Sequence, residues 1–145
     1  MELIQRIFYA LTELHPLHPM LVHFPIALTG AGSLFILLAV WKKSKALEQA
    51  AFANIVLAAI GTLAASITGF MDNLNTYDGA APNVTWKILL ALILLVITAT
   101  TSIVRWRKPN LFESRGKVLY VAAYLVSFVI AIVLAFLGAI ILYGF

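Results

Sequence analysis

VLYVAAYLVSFVIAIVLAFLGAIILY, residues 118–143, runs for twenty-six positions without one Asp, Glu, Lys or Arg. As an α-helix it would be about 39 Å long at 1.5 Å per residue, more than the roughly 30 Å of a bilayer's hydrocarbon core. A stretch so long and so uniformly apolar has no polar face for water, so it reads as a transmembrane helix and not as a core helix of a soluble domain. Three more stretches read the same way: about 19–41, stopped by Lys42, Lys43 and Lys45; about 47–70, followed by the polar run Asp72, Asn73, Asn75 and Asp78; and about 84–106, closed by Arg105, Arg107, Lys108 and Pro109. Composition agrees. Of the 145 residues 63% are hydrophobic and 11% charged, against roughly 25% charged in soluble domains. The expected fold is all-α, a transmembrane four-helix bundle, with residues 1–145 forming a single transmembrane domain.

Basic residues give the orientation. Lys42, Lys43, Lys45, Arg105, Arg107, Lys108, Arg115 and Lys117 fall in the two loops on one side, and only Arg6 and Lys87 on the other. Cytoplasmic loops carry the excess of Lys and Arg, so the first set faces the cytoplasm and both termini lie on the outer side. The loop from Asp72 to Asn83 is then also outside. Trp41, Trp86 and Trp106 sit near span ends, where indole favours the interface. The formal charge of +4 is accounted for by these loops lying against an anionic leaflet, so no nucleic-acid partner is inferred. The absence of cysteine excludes disulfides, iron–sulfur ligation and thiolate metal sites.

Ahead of the first span, Leu3, Ile4, Ile7, Phe8, Leu11 and Leu14 recur at helical spacing, with Glu2, Gln5, Arg6, Thr12 and Glu13 largely on other faces. This predicts a short N-terminal helix lying on the outer membrane surface. It lacks the unbroken apolar stretch of a cleaved signal peptide, so the first span is expected to act as the targeting signal.

Helices in lipid gain little from burial and associate through close packing of small residues. Ala123, Ser127, Ala131, Ala135 and Ala139 form an unbroken four-residue repeat in the fourth span. Asn54, Ala58, Gly61, Ala65 and Thr68 form a similar stripe in the second, and Thr98, Thr101 and Ser102 add small polar groups in the third. Asn54 is costly against lipid and is expected to face the bundle or the interface.

The chemically capable residues are concentrated in one place. His15-Pro16-Leu17-His18-Pro19-Met20-Leu21-Val22-His23-Phe24-Pro25-Ile26-Ala27-Leu28 holds all three histidines of the chain. Residues His18 to Leu28 resemble, nearly letter for letter, the His-Pro-x-x-Val-His-Phe-Pro-Ile-Ala-Leu element of the DUF2231 family of prokaryotic membrane proteins. Gly69-Phe70-Met71-Asp72 is similar to that family's Gly-x-x-Asp. The likeness extends over the hydrophobic layout of the whole chain, and these two motifs are its specific part. It implies a small four-helix protein and, because some members are fused to or encoded beside electron-transfer proteins, a redox setting. Many relatives carry a further histidine at the start of the third span, where this chain has Val84-Thr85-Trp86-Lys87, so a haem or metal role built on that histidine has no counterpart here.

Pro19 suits the first turn of a helix, where its missing N–H would be unpaired anyway. Pro25 lies inside the span and is expected to bend the helix or to free the Leu21 carbonyl. His23, about one turn into the membrane, needs a polar partner. Five residues turn a helix through about 500°, so His18 and His23 point roughly 140° apart and do not form an i, i+4 chelate. The start of the first span and the end of the second share one side of the membrane, which lets Asp72 approach the histidines. Three readings remain open: a structural clasp in which His15, Asp72 and Pro25 support the helix ends; a haem b or metal site on His18 and His23, with Met20 and Met71 as thioether donors; and a quinone or proton-relay site.

At the level of function, small size and few catalytic groups suggest an accessory or assembly subunit of an energy-transducing membrane complex. Its partners would be the lipid bilayer and other membrane subunits or further copies of itself. Haem b or metal binding is the alternative, and a quinone or proton-relay role the second. Transport is expected less, because four helices with no intramembrane charge pair offer little pathway unless the protein oligomerises, and enzymatic hydrolysis is expected less still. Enzymatic hydrolysis finds no nucleophile, base and orienting group together.

Overall fold

The computed structural model describes residues 2–9 and 17–143, without the side chains of residues 7, 8, 142 and 143. Its helices are α1 (Glu2–Tyr9), α2 (Leu17–Lys42), α3 (Lys45–Tyr77), α4 (Val84–Arg107) and α5 (Lys117–Tyr143), with a 3-10 turn at Leu111–Glu113. Helices α2 to α5 are each long and apolar enough to cross a membrane. α2 packs on α3, α3 on α4, α4 on α5, and α5 returns to α2. Short connections between neighbours make antiparallel packing the direct solution, and the ring follows. The fold is the expected all-α bundle of four spans with a short N-terminal helix; residues 10–14 of the amphipathic segment, like His15, lie outside the described residues.

The turns have specific chemistry. Lys43 takes the left-handed conformation (φ 51°) at the end of α2. Ser44 then caps α3, its Oγ accepting from the Leu47 amide at 3.4 Å. α3 outruns the expected span. It continues through Asp72, Asn73 and Asn75 to Tyr77, so the connection shrinks to residues 78–83. Hydropathy drops where a helix leaves the hydrocarbon, but helical hydrogen bonding continues in water wherever the end is capped. Asn73 supplies that cap: its carbonyl accepts from the Gly79 amide at 2.9 Å, and its side-chain oxygen from the Ala81 amide at 3.0 Å.

The small-residue stripes face inward. Ala58 and Ala65 of α3, and Ser127 and Ala131 of α5, are buried. A Cβ at Gly61 would stand 3.3 Å from Pro25 Cδ and 3.2 Å from Phe24 Cβ. The proline ring therefore sits against a glycine, and α2 remains one helix through Pro25. A Cβ at Gly30 would meet Phe128 at 3.0 Å, which fixes the approach of α5. Asn54 is half-buried and donates to the Ala50 carbonyl of its own helix at 2.9 Å.

Large apolar side chains such as Leu34, Leu57, Ile60, Leu92, Val96 and Val129 are exposed around the outside, the surface lipid covers. Trp41, Trp86 and Trp106 are exposed near helix ends. The apolar core is concentrated at the end bearing the basic loops, where Ile36, Ala39, Ala51, Ile55, Tyr120 and Tyr124 are joined by Phe112 from the 3-10 turn.

Candidate functional site

The bundle has a polar cluster at each end. At the histidine end, His18 lies in the first turn of α2 and faces α3. A Cβ on Gly69 would come within 2.6 Å of its Cε1, so the imidazole rests against α3 where a larger residue would displace it. His18 Nδ1 is 3.4 Å from Thr68 Oγ1. The Thr68 hydroxyl points to the carbonyls of Ala64 and Ala65, at 3.0 and 3.2 Å. With that proton engaged, the weak contact is one in which Nδ1–H donates, and the ring is also hydrogen-bonded to the Ala65 backbone. Asp72, one turn beyond Thr68, and Lys87 of α4 both act electrostatically on the ring. Asp72 is not hydrogen-bonded to His18. Its Oδ1 accepts from Thr76 at 3.0 Å.

His23 goes elsewhere. It is exposed on the outer surface of α2, where its Nδ1–H donates to the Pro19 carbonyl at 2.6 Å. That bond fixes the same tautomer and leaves Nε2 bare toward the surroundings. The structure thus brings His18, Gly69 and Asp72 together, while His23 faces outward beside exposed Phe24, with Met20 also outside. Pro25 is buried against Gly61 and acts in helix packing. Among the described residues, no three His, Asp or Glu side chains are grouped closely enough to hold a metal ion. His18 and His23 thus diverge, one imidazole lying against α3 and the other facing outward.

The second cluster overturns one expectation, the lack of a charge pair within the spans. Glu48 of α3, 2% exposed, receives two hydrogen bonds from Arg105 of α4: Nε to Oε1 at 2.6 Å and Nη2 to Oε2 at 2.8 Å. Tyr120 of α5 donates to the same Oε1 at 2.8 Å, and its oxygen is 2.9 Å from that of Tyr124. The two tyrosine rings meet edge to face with centroids 5.2 Å apart. Arg105 also lies over the Phe52 ring, 5.3 Å from its centroid. α2 joins through Ser33, whose Oγ donates to the Tyr124 carbonyl at 3.0 Å. All four spans are thereby tied at the basic end. Bidentate geometry and a third donor are what a buried carboxylate needs if pairing is to offset its desolvation.

Between the two clusters the interior is polar in composition but closed in its bonding. Thr29, Thr62, Thr98 and Ser127 each donate to a carbonyl one turn back in their own helix, at 2.6 to 2.8 Å. Such hydroxyls fill small spaces between helices at little polar cost, and their protons are not offered across the bundle. Among the described residues, no buried side-chain nitrogen or oxygen lacks a partner.

A ring of four apolar, membrane-length helices with its polar groups paired inside defines a multi-pass integral membrane protein. Residues 14–145 match the family model described as "Predicted membrane protein (DUF2231)", and the chain belongs to that family. No curated protein and no solved structure matches it.

Proposed function

We propose that the protein is an accessory or assembly subunit of a larger, energy-transducing membrane complex, acting as one transmembrane unit with both termini on the outer side. The observation that carries this reading is the outward half of the histidine motif. His23 is exposed about one turn past Pro19, where the first span is expected to begin, next to Phe24, which is 58% exposed. An imidazole facing lipid is expensive, whereas one facing a partner helix gains a hydrogen bond at Nε2. The energy-transducing setting rests on the electron-transfer proteins associated with relatives. Blue-native electrophoresis of membranes solubilised in mild detergent tests the reading. The tagged protein is expected in an assembly larger than its own oligomers, and His23→Leu is expected to release it. Migration of the wild type solely as a monomer or small homo-oligomer would overturn the proposal.

A second reading rests on the bare Nε2 of His23. It could ligate haem b or a metal at a junction between this chain and another, with His18 still holding α2 to α3 through Thr68. The test is the visible spectrum of the assembly purified after growth with adequate haem. A Soret band lost in His23→Ala supports it, and one unchanged by that substitution counts against it. A quinone or proton-relay role would draw on His18 and Asp72, an imidazole and a carboxylate at the same helix junction.

A further inference from the structure

At the basic end, the turn after α2 and the starts of α3 and α5 surround a shallow hollow of about 240 Å³ lined by Lys43, Lys45, Phe112, Glu113 and Lys117. Its charges are unequal. Glu113 is the one carboxylate in the lining, and Lys45 already binds it at 2.9 Å. Lys43, in a left-handed turn conformation, has no carboxylate partner among the described residues. Lys117 is held with its ammonium 4.6 Å from the centroid of the Phe112 ring, so it is placed at the rim rather than free in solution.

The flanks are apolar. Trp41 precedes Lys43 by two residues, Val118 and Leu119 follow Lys117, and all three are more than 75% exposed. α2 and α5 are neighbours in the ring, so a ligand with its charge in the hollow can lay hydrocarbon beside them. Charge excess at the floor of an interfacial hollow, with lipid-facing residues at its edge, is complementary to an anion carrying acyl chains.

We propose that this hollow seats the phosphate of an acidic phospholipid, held by Lys43 and Lys117 with the Lys45–Glu113 pair forming one wall. Zwitterionic headgroups bring an ammonium toward these lysines and fit less well.

The test is native mass spectrometry of the full chain in mild detergent with phosphatidylglycerol and phosphatidylethanolamine supplied in equal amounts. Phosphatidylglycerol is expected to be retained preferentially. At about 1 kcal/mol per interfacial lysine, Lys43→Gln with Lys117→Gln is expected to weaken its retention on the order of thirtyfold. Arg107→Gln with Lys108→Gln, which removes the same charge outside the hollow, is expected to change it by no more than about threefold. If the double lysine variant does not fold, Lys43→Gln alone carries the test with an expected loss of roughly fivefold. Equal retention of the two lipids, or equal losses in the two double variants, would overturn the proposal. So would displacement of the lipid by inorganic phosphate at the same concentration, which would assign the hollow to a soluble anion.

Discussion

Removing one partner of the Glu48–Arg105 pair is expected to cost far more than its share of the pair, and the two partners are expected to differ. Glu48 is the more deeply enclosed, with its side chain 3% exposed against 12% for Arg105. Both border a hollow of about 210 Å³ lined in part by Gln49, Pro109 and Asn110, and of the two it is Arg105 that keeps the larger exposed part. A stranded arginine therefore has some access to water, and a stranded glutamate has little. Breaking a buried pair typically costs about 3–5 kcal/mol. Glu48→Gln, which keeps an oxygen for Tyr120, is placed near the lower figure, and Arg105→Met near the upper. Replacing both leaves no unpaired charge, so the double variant is expected to fall short of the sum of the singles by about 2 kcal/mol or more. Unfolding by SDS in mixed micelles, followed by tryptophan fluorescence, supplies the three free energies. Singles costing under about 1 kcal/mol would show that the pair behaves as a solvated surface bridge. Additivity within about 0.5 kcal/mol would show that the two charges do not depend on one another, and either result refutes the reasoning.

Other consequences follow for orientation and packing. Single cysteines at Ser44 and Asn75, probed in intact cells with an impermeant thiol reagent, are expected to label only at Asn75; labelling only at Ser44 inverts the topology. Ala131, 1% exposed on the α5 stripe, is expected to tolerate leucine poorly, at about 1–3 kcal/mol by the same unfolding assay, whereas half-buried Ala135 loses less. An Ala131→Leu variant as stable as its parent would mean that the face packs loosely. Gly69→Ala places a methyl 2.6 Å from His18 Cε1 and is expected to lower the unfolding temperature in detergent; in a His18→Ala background that loss is expected to disappear. Persistence of the loss there would trace it to the α3 backbone instead of to the imidazole.

The four spans were legible because apolar length is a property of contiguous sequence, and so were the small-residue stripes, which follow from the 3.6-residue period alone. The far end of α3 was not. Asp72, Asn73 and Asn75 mark where the hydrocarbon stops, and the same residues are compatible with a helix once Asn73 folds its side chain back onto Ala81. The pairing of Glu48 with Arg105 was hidden for another reason. Each lies just inside one end of its span, where a charge reads as an interfacial residue, and they meet only because α3 and α4 are neighbours in the ring. A signal was present nonetheless. Glu48 is a lone acid close behind Lys42, Lys43 and Lys45, and Tyr120 and Tyr124 stand one helical turn apart in an otherwise apolar span. At the histidine end, the approach of Asp72 and His18 was legible from topology, while the outward turn of His23 depended on which face of α2 the neighbouring helices cover.

That division of faces bears directly on what the motif is for. Along α2 the buried positions are Pro25, Thr29, Gly32, Ser33, Ile36 and Ala39, a helical stripe pointing at α3 and α5. His18 continues it toward Gly69. If packing were the motif's whole task, this stripe would be enough, and the outward positions would carry aliphatic residues like Leu34 and Leu37 further along the same helix. Instead the outward surface near the histidine end holds Met20, His23 and Phe24, a thioether, an imidazole and an aromatic ring within two turns. The basic end is bolted by ionic hydrogen bonds that span three helices, whereas the histidine end relies on glycine contacts and on the bonds of the His18 imidazole to Thr68 and the Ala65 backbone. The assembly contact proposed for the histidine end would therefore engage the less firmly tied part of the bundle and leave the ionic cluster undisturbed.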